Sequence, residues 1–351
     1  MRDQRSLPSG TVRVVTVLLG RHDAFAEHQT GHSHPESAAR LNAVLAGIES
    51  AAVAEMIVSF EPRPAVRSEL ERVHTGGYID TLEQFCLTGG GHLDADTIAS
   101  PASFEAALRG AGAGLDAVAR LRAGEGEAAF LAVRPPGHHA LSNRAMGFCL
   151  FNSVAVTAAA LAAGGERVLI VDWDAHHGNG TQAIFWQDPD VCYVSLHQYP
   201  FYPGTGAMRE IGEGAGKGMT VNIPMPGGSS GEVYRRAFDE IVVPVAERHQ
   251  PAWVLISAGF DAHRNDPLTD LSLSAGDFAD LTSRTAALAP AGRRIAFLEG
   301  GYDLAALALS VRACVDALGG TLVHPEPVSS AGPVDELAGD LVSAVARLHF
   351  G

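Results

Sequence analysis

Val168-Leu169-Ile170-Val171 runs directly into Asp172-Trp173-Asp174-Ala175-His176-His177-Gly178-Asn179-Gly180. The first four residues are branched and apolar without interruption, the mark of a strand buried on both faces, as in a parallel sheet. The nine that follow gather ionisable and metal-ligating side chains at the carboxyl end of that strand, where open parallel sheets place their ligand sites. The pattern recurs. Ala128–Val133 precedes Arg134-Pro135-Pro136-Gly137-His138-His139, and Val191–Leu196 leads through Ser195-Leu196 to His197. Trp253–Ser257 precedes Ala258-Gly259-Phe260-Asp261-Ala262-His263, and Ile295–Leu298 precedes Glu299-Gly300-Gly301-Tyr302. Three further apolar runs, Val12–Leu19, Met56–Phe60 and Met219–Ile223, complete the set of expected strands.

Stretches with a period near 3.6 separate many of these runs: Glu36–Gly47, Ser103–Leu121, Asn152–Ala163, Gly231–Glu247, Ala275–Leu288 and Leu304–Leu318. Strands alternating with helices mean βαβ units. No Pro/Gly/Ser linker divides the chain and no internal repeat occurs. The reading is one α/β domain over residues 1–351, a parallel sheet of about eight strands flanked by helices. A final packing helix is expected over about 333–350.

The 351 residues hold 25 Lys+Arg and 40 Asp+Glu, so the formal net charge is 25 − 40 = −15, with 46% hydrophobic and 19% charged residues. That balance excludes intrinsic disorder. It also argues against a nucleic-acid partner, which demands clustered positive charge. No apolar run reaches the roughly 18–20 residues that span a bilayer, so no membrane partner is expected. Cys86, Cys149, Cys192 and Cys314 are scattered without a CxxC and read as buried free thiols of a reducing compartment. The opening MRDQRSLPSG has no apolar signal-peptide core, so the expected location is cytoplasmic.

Asp174 and His176 are two residues apart, so in extended backbone both side chains point the same way. Asp261 ends a different strand. One imidazole and two carboxylates suit a divalent metal such as Zn²⁺, and three protein ligands leave a position for water, as in a catalytic site. His177 and His263 adjoin these residues and are expected to face away. His138 and His139 follow a rigid Pro-Pro-Gly turn, and buried imidazoles need polar partners. Asp172 and Asn179 are the natural ones, since a partner on one ring nitrogen fixes the tautomer of the other. An activated water needs a base, and a leaving amine needs an acid. Tyr302, after the flexible pair Gly300-Gly301, either brings a phenol hydroxyl to a developing oxyanion or fills the core.

Taken together, RPPGHH (134–139), DWDAHHGNG (172–180), SLHQYPFYPGTG (195–206), SAGFDAHRNDP (257–267) and EGGY (299–302) resemble the histone-deacetylase family of zinc amidohydrolases, over roughly 34–319. Asn179, where class I members usually have Asp, is similar to the class II-like bacterial branch. The resemblance implies the arginase/deacetylase fold and Zn²⁺ on Asp174, His176 and Asp261. It implies removal of an acetyl or short acyl group from an acetylated amine such as acetyl-lysine, with an acetylpolyamine as the alternative substrate. It further implies a catalytic pair of His138 and His139, with His139 as base and acid, and Tyr302 as carbonyl polariser. Phe148 beside Gly147, Tyr202 and Leu268 match the walls of an acyl tunnel bordered by Gly300 and Gly301; the second aromatic is commonly Phe. Asp96 or Asp94 matches an acidic rim residue that grips the substrate backbone. Arg40 matches an arginine near an internal acetate channel. K⁺ is implied on Asp172, Asp174, His176, Ser195 and Leu196, with a second ion on Phe185, Asp188 and Val191.

Two readings compete. Di-manganese ureohydrolases share this fold, so fold alone decides nothing. They need carboxylates two residues after His176 and two before Asp261, where this chain has Gly178 and Gly259. A catalytically inactive acyl-lysine binding protein would lack a metal ligand or Tyr302, and all are present.

Overall fold

Along the inner strands, alternate side chains enter two different cores. In the computed structural model, which describes residues 15–351, Val17 and Leu19 pack on one face of the sheet and Leu18 on the other. Leu169 and Val171 likewise oppose Val168 and Ile170, and Ala296 and Leu298 oppose Ile295 and Phe297. A period of two with both faces covered leaves no place for a polar residue, which explains the unbroken apolar runs.

The strands are β1 (Val17–Gly20), β2 (Ile57–Phe60), β3 (Gly91–His92), β4 (Ile98–Ala99), β5 (Ala128–Leu131), β6 (Val168–Asp172), β7 (Val191–Gln198), β8 (Thr220–Met225), β9 (Trp253–Ala258) and β10 (Arg294–Leu298). β3 and β4 form a separate antiparallel pair. The other eight make one α/β sheet in the order β2-β1-β5-β10-β9-β6-β7-β8, with every neighbour parallel. All the expected strands are present; residues 12–14 of the first expectation lie outside the described residues.

Helices Ala39–Glu49, Ala275–Ala286, Leu304–Leu318 and Asp335–Phe350 cover one face, and Gly76–Leu87, Ser103–Arg122 and Ser153–Ala163 cover the other. The helix expected over Gly231–Glu247 differs in detail. It is α-helical over Gly231–Ala237, widens to a π turn over Phe238–Val242, and resumes over Val243–His249. Pro244 is the reason: it has no N–H to give the preceding turn and its ring crowds the carbonyl there, so the wider turn relieves both. The helix Gly76–Leu87 was not expected from periodicity, because two glycines open it; its signal is Thr75, whose side chain accepts from Tyr78 N.

The strand order joins residues far apart in the chain. β5, β10, β9 and β6 are consecutive neighbours at the centre of the sheet. Their carboxyl ends lead to His138 and His139, to Tyr302, to Asp261, and to Asp174 and His176.

The exit of β5 is anchored by a charge cluster out of contact with water. Arg134 donates to Glu36 Oε2 at 2.8 Å, to Phe25 O at 2.7 Å and to His28 O at 3.2 Å, while Arg40 donates to Glu36 Oε1 at 3.2 Å. Burial works to raise the Glu36 carboxyl, but Arg134 and His28, whose Nε2 lies 3.4 Å from Glu36 Oε2, together outweigh it and hold the pKa well below the usual range. This contribution to stability is complete above the unfolded carboxyl pKa of about 4.3 and is lost as pH falls through the lower folded value. Arg134→Leu strands a buried carboxylate, so urea denaturation at pH 7 is expected to show a loss of about 3–5 kcal/mol. A loss under about 0.5 kcal/mol, typical of a surface substitution, would show that Arg40 and His28 alone satisfy Glu36.

Candidate active site

Two buried carboxylates face one imidazole nitrogen. His176 Nδ1 lies 3.2 Å from Asp174 Oδ1 and 3.0 Å from Asp261 Oδ2. One ligand atom from each residue lies within 4.8 Å of the others, the one such three-residue cluster among the described residues. The other carboxylate oxygens are held by backbone: Gly300 N donates to Asp174 Oδ2 and Ala175 N to Asp261 Oδ1, each at 2.8 Å. A ring nitrogen carries one proton and can satisfy only one of two acceptors, so this donor set fits a divalent cation better than a hydrogen bond. The titrations carry the same tension. Burial disfavours a charged His176, yet the two carboxylates raise its pKa to about 10, while burial and the charge of Asp174 push Asp261 up to about 7.

A second metal has no room for its ligands. A Cβ at Gly178 would lie 2.4 Å from Asp172 Oδ2, and one at Gly259 would lie 2.1 Å from Asp174 Oδ2. Neither position can hold a carboxylate without displacing the site.

The two adjacent imidazoles differ in their partners. His138 Nδ1 meets Asp172 Oδ2 at 3.0 Å, and His139 Nδ1 meets Asn179 Oδ1 at 2.8 Å. Asn179 turns its amide nitrogen to Met146 Sδ at 3.3 Å, so its oxygen faces His139, which therefore carries the proton on Nδ1 and a lone pair on Nε2. Burial, followed by the charges of His138 and His176, lowers the His139 pKa well below the ordinary value. Burial also opposes charge on His138, but Asp174 and Asp172 overcome it and raise that pKa.

These groups share a cavity of about 210 Å³. Asp96, His138, His139, Gly147, Phe148, Asp174, His176, Tyr202, Leu268, Gly300 and Tyr302 line it, together with Pro136 and Phe201. Phe148 stands at φ 67° with Gly147 beside it, and a Cβ on Gly147 would lie 2.4 Å from the His139 ring. The tight backbone thus seats the aromatic wall directly against the imidazole. The Phe148 ring meets the Tyr302 ring edge-on at 5.9 Å, and Tyr202 meets His139 edge-on at 5.3 Å. Gly301 stays out of the cavity; its carbonyl accepts from Arg40 Nε at 2.7 Å, and the Arg40 guanidinium lies 5.0 Å from the Tyr302 ring centroid.

The match to known proteins follows this geometry. A family model described as the histone deacetylase domain matches residues 34–318. The chain belongs to the histone deacetylase family. It is 41% identical over 289 residues to a probable deacetylase of Archaeoglobus fulgidus, covering 81% of this chain and 80% of that one. It is 39% identical over 297 residues to the histone deacetylase-like amidohydrolase of Pseudomonas aeruginosa, covering 83% and 77%. The crystal structure of the HDA15 HD domain superposes with a TM-score of 0.87 at 36% identity, covering 95% of this chain and 94% of that one.

Within this deacetylase-family site, the sequence left the acidic rim residue open between Asp94 and Asp96. The β3–β4 hairpin separates them: Asp94 Oδ1 is spent on the amides of Asp96 and Thr97, while Asp96 lines the cavity. Phe201 was missed. It stacks on the His176 ring at 5.5 Å, and its one signal in the sequence was its place beside Tyr202. His177 and His263 face away as expected, to Thr205 and Gln182 and to Glu326. Among the potassium candidates, Ser195 Oγ pairs with His197 Nδ1, Asp172 also accepts from Tyr193 and the Asp174 amide, and Asp188 accepts from the Asp190 amide. Leu196, Phe185 and Val191 are buried in the cores.

Gly259→Ala is the sharpest probe of the metal cluster, because its methyl would press on Asp174. Zinc affinity, measured by competition with a chromophoric chelator, is expected to fall about 10–100-fold, the scale for disturbing ligand orientation. Unchanged affinity in the folded variant would remove Asp174 from the ligand set.

Proposed function

We propose that this chain is a zinc-dependent amidohydrolase that removes an acetyl or short acyl group from a linear acylated amine such as acetyl-lysine. One observation carries the reading: the Asp174–His176–Asp261 cluster lies at a cavity that a neutral imidazole and a phenol also face. Zn²⁺ on these three residues, when bound, would act as a Lewis acid toward the acyl carbonyl and acidify a water. His139, with its free Nε2 lone pair, takes the proton of the attacking water and returns it to the leaving nitrogen. His138, held charged by its carboxylate neighbours, stabilises the negative charge that develops. Burial keeps the Tyr302 pKa well above its ordinary value, so its hydroxyl stays a donor and bonds the oxyanion. Phe148 and Tyr202 confine the substrate arm, and Asp96 accepts its amide at the rim. We place the activity in the cytoplasm, on the strength of four buried free thiols. Protein acetyl-lysine and acetylpolyamines offer the same arm, and kcat/KM across a panel of both, with longer acyl chains, separates them.

Metal analysis is expected to find one transition metal per chain, and Asp261→Ala to lose both metal and activity, while Cys149→Ala stays within a few fold of wild type. An active, chelator-sensitive Asp261→Ala protein would show the ligand set to be wrong. Tyr302→Phe removes a hydroxyl and almost no volume. With zinc content unchanged, kcat is expected to fall on the order of 10²–10³-fold, as for loss of one oxyanion donor, and KM to change less. A metal-replete Tyr302→Phe enzyme within about threefold of wild type would return this tyrosine to a packing role.

A further inference from the structure

Glu299 is 1% exposed, and its side chain does not enter the substrate cavity. It crosses instead to the loop after β5, where Oε2 accepts from Gly137 N at 2.7 Å and from His138 N at 3.2 Å. The residues just before, Pro135 and Pro136, have no N–H, so this loop has few other donors with which to fasten itself. The backbone of Glu299 is fixed as firmly. Its N–H donates to Ala258 O at 3.1 Å, at the end of the strand that leads to Asp261, and its carbonyl accepts from Arg40 at 2.5 Å. The next residue, Gly300, donates to Asp174 Oδ2, and Tyr302 follows. One residue therefore ties three of the central strand ends together.

We propose that Glu299 is a positioning residue, whose carboxyl group sets the separation between the His138–His139 loop and the Tyr302 loop. The proposal rests on the deacetylase reading of the site. Glu299 supplies an acceptor at a fixed reach more than a charge. Burial pushes its carboxyl up to about 7 against the pull of His138, and in either protonation state a carboxyl oxygen accepts both amides. Base and oxyanion donor must close on the same acyl carbon, and a misplacement of about 1 Å costs on the order of 10²-fold in rate.

The test compares Glu299→Gln, which keeps acceptor and reach, with Glu299→Ala and Glu299→Asp, which lose the reach. Each zinc-loaded protein is assayed on an acetyl-lysine peptide. Each is also followed by hydrogen exchange of the peptide spanning 134–140, whose two prolines contribute no amide. The expected result is a kcat for Glu299→Gln within about threefold of wild type, and a fall of about 10–100-fold for Ala and Asp with KM nearly constant and zinc content unchanged. Exchange in that segment should accelerate for Ala and Asp and not for Gln. Should the Ala variant fail to fold, Asp against Gln makes the same comparison. Wild-type exchange in folded Ala or Asp variants overturns the proposal. So does faster exchange with wild-type kcat, or a Gln variant as impaired as Ala. A zinc-loaded wild type inactive on every acyl-amine overturns the functional reading instead, and the exchange comparison still decides whether Glu299 holds the loop.

Discussion

The repulsion between Asp174 and Asp261 is the constraint around which this molecule is arranged. Both carboxylates are fully buried, and the charge of one raises the pKa of the other. In a low-dielectric interior such a pair stands only if its surroundings supply positive potential and donors. The imidazoles of His138 and His176 supply the positive potential, and the amides of Ala175 and Gly300 hold the outer oxygens. Further side chains are excluded. A Cβ at Gly300 would lie 2.3 Å from Asp261 Oδ2, nearly as close as the 2.1 Å between one at Gly259 and Asp174. The same bareness that lets the two acids approach leaves no space for the further carboxylates a two-metal ureohydrolase needs.

Chain neighbours of identical type acquire opposite character here. His138 and His139 have ring centroids 4.1 Å apart, yet the pKa of one is raised and that of the other lowered. The charges of Asp174 and Asp172 raise His138, while burial and the charges of His138 and His176 lower His139, whose own Nδ1 partner is an uncharged amide oxygen. Environments that push two like groups apart in pKa let adjacent residues of one type take different roles.

Much of this was legible in the sequence because two signals coincide. Buried parallel strands announce themselves as unbroken apolar runs, and five of the eight runs end on residues too polar to be core. The candidate ligands Asp174, His176 and Asp261, and the histidine partners Asp172 and Asn179, could be named from that alone. Less was legible where a residue acts through three-dimensional placement. Glu299 reads as one more polar residue at a strand end, and its reach to Gly137 and His138 depends on β10 lying beside β5. Phe201 reads as loop, and its stacking on His176 depends on how β7 turns outward. The choice of Asp96 over Asp94 depends on a hairpin whose strands are two residues each, too short for periodicity to show. The π turn before Pro244 is a local defect that a pattern of period 3.6 smooths over.

The order of strands carries a consequence for biosynthesis. β9 and β10 are the last strands made, and they belong in the middle of the sheet, between β5 and β6. Without them the sheet divides into β2-β1-β5 and β6-β7-β8, each with an unpaired apolar inner edge. Such edges pair with the wrong partners when left open, and contacts this distant in sequence close slowly. The nascent chain also holds Asp174 and His176 without Asp261. The candidate metal cluster is therefore complete only once β9 has delivered Asp261, and Tyr302 arrives only with β10, so closing the sheet and assembling the cavity are one event.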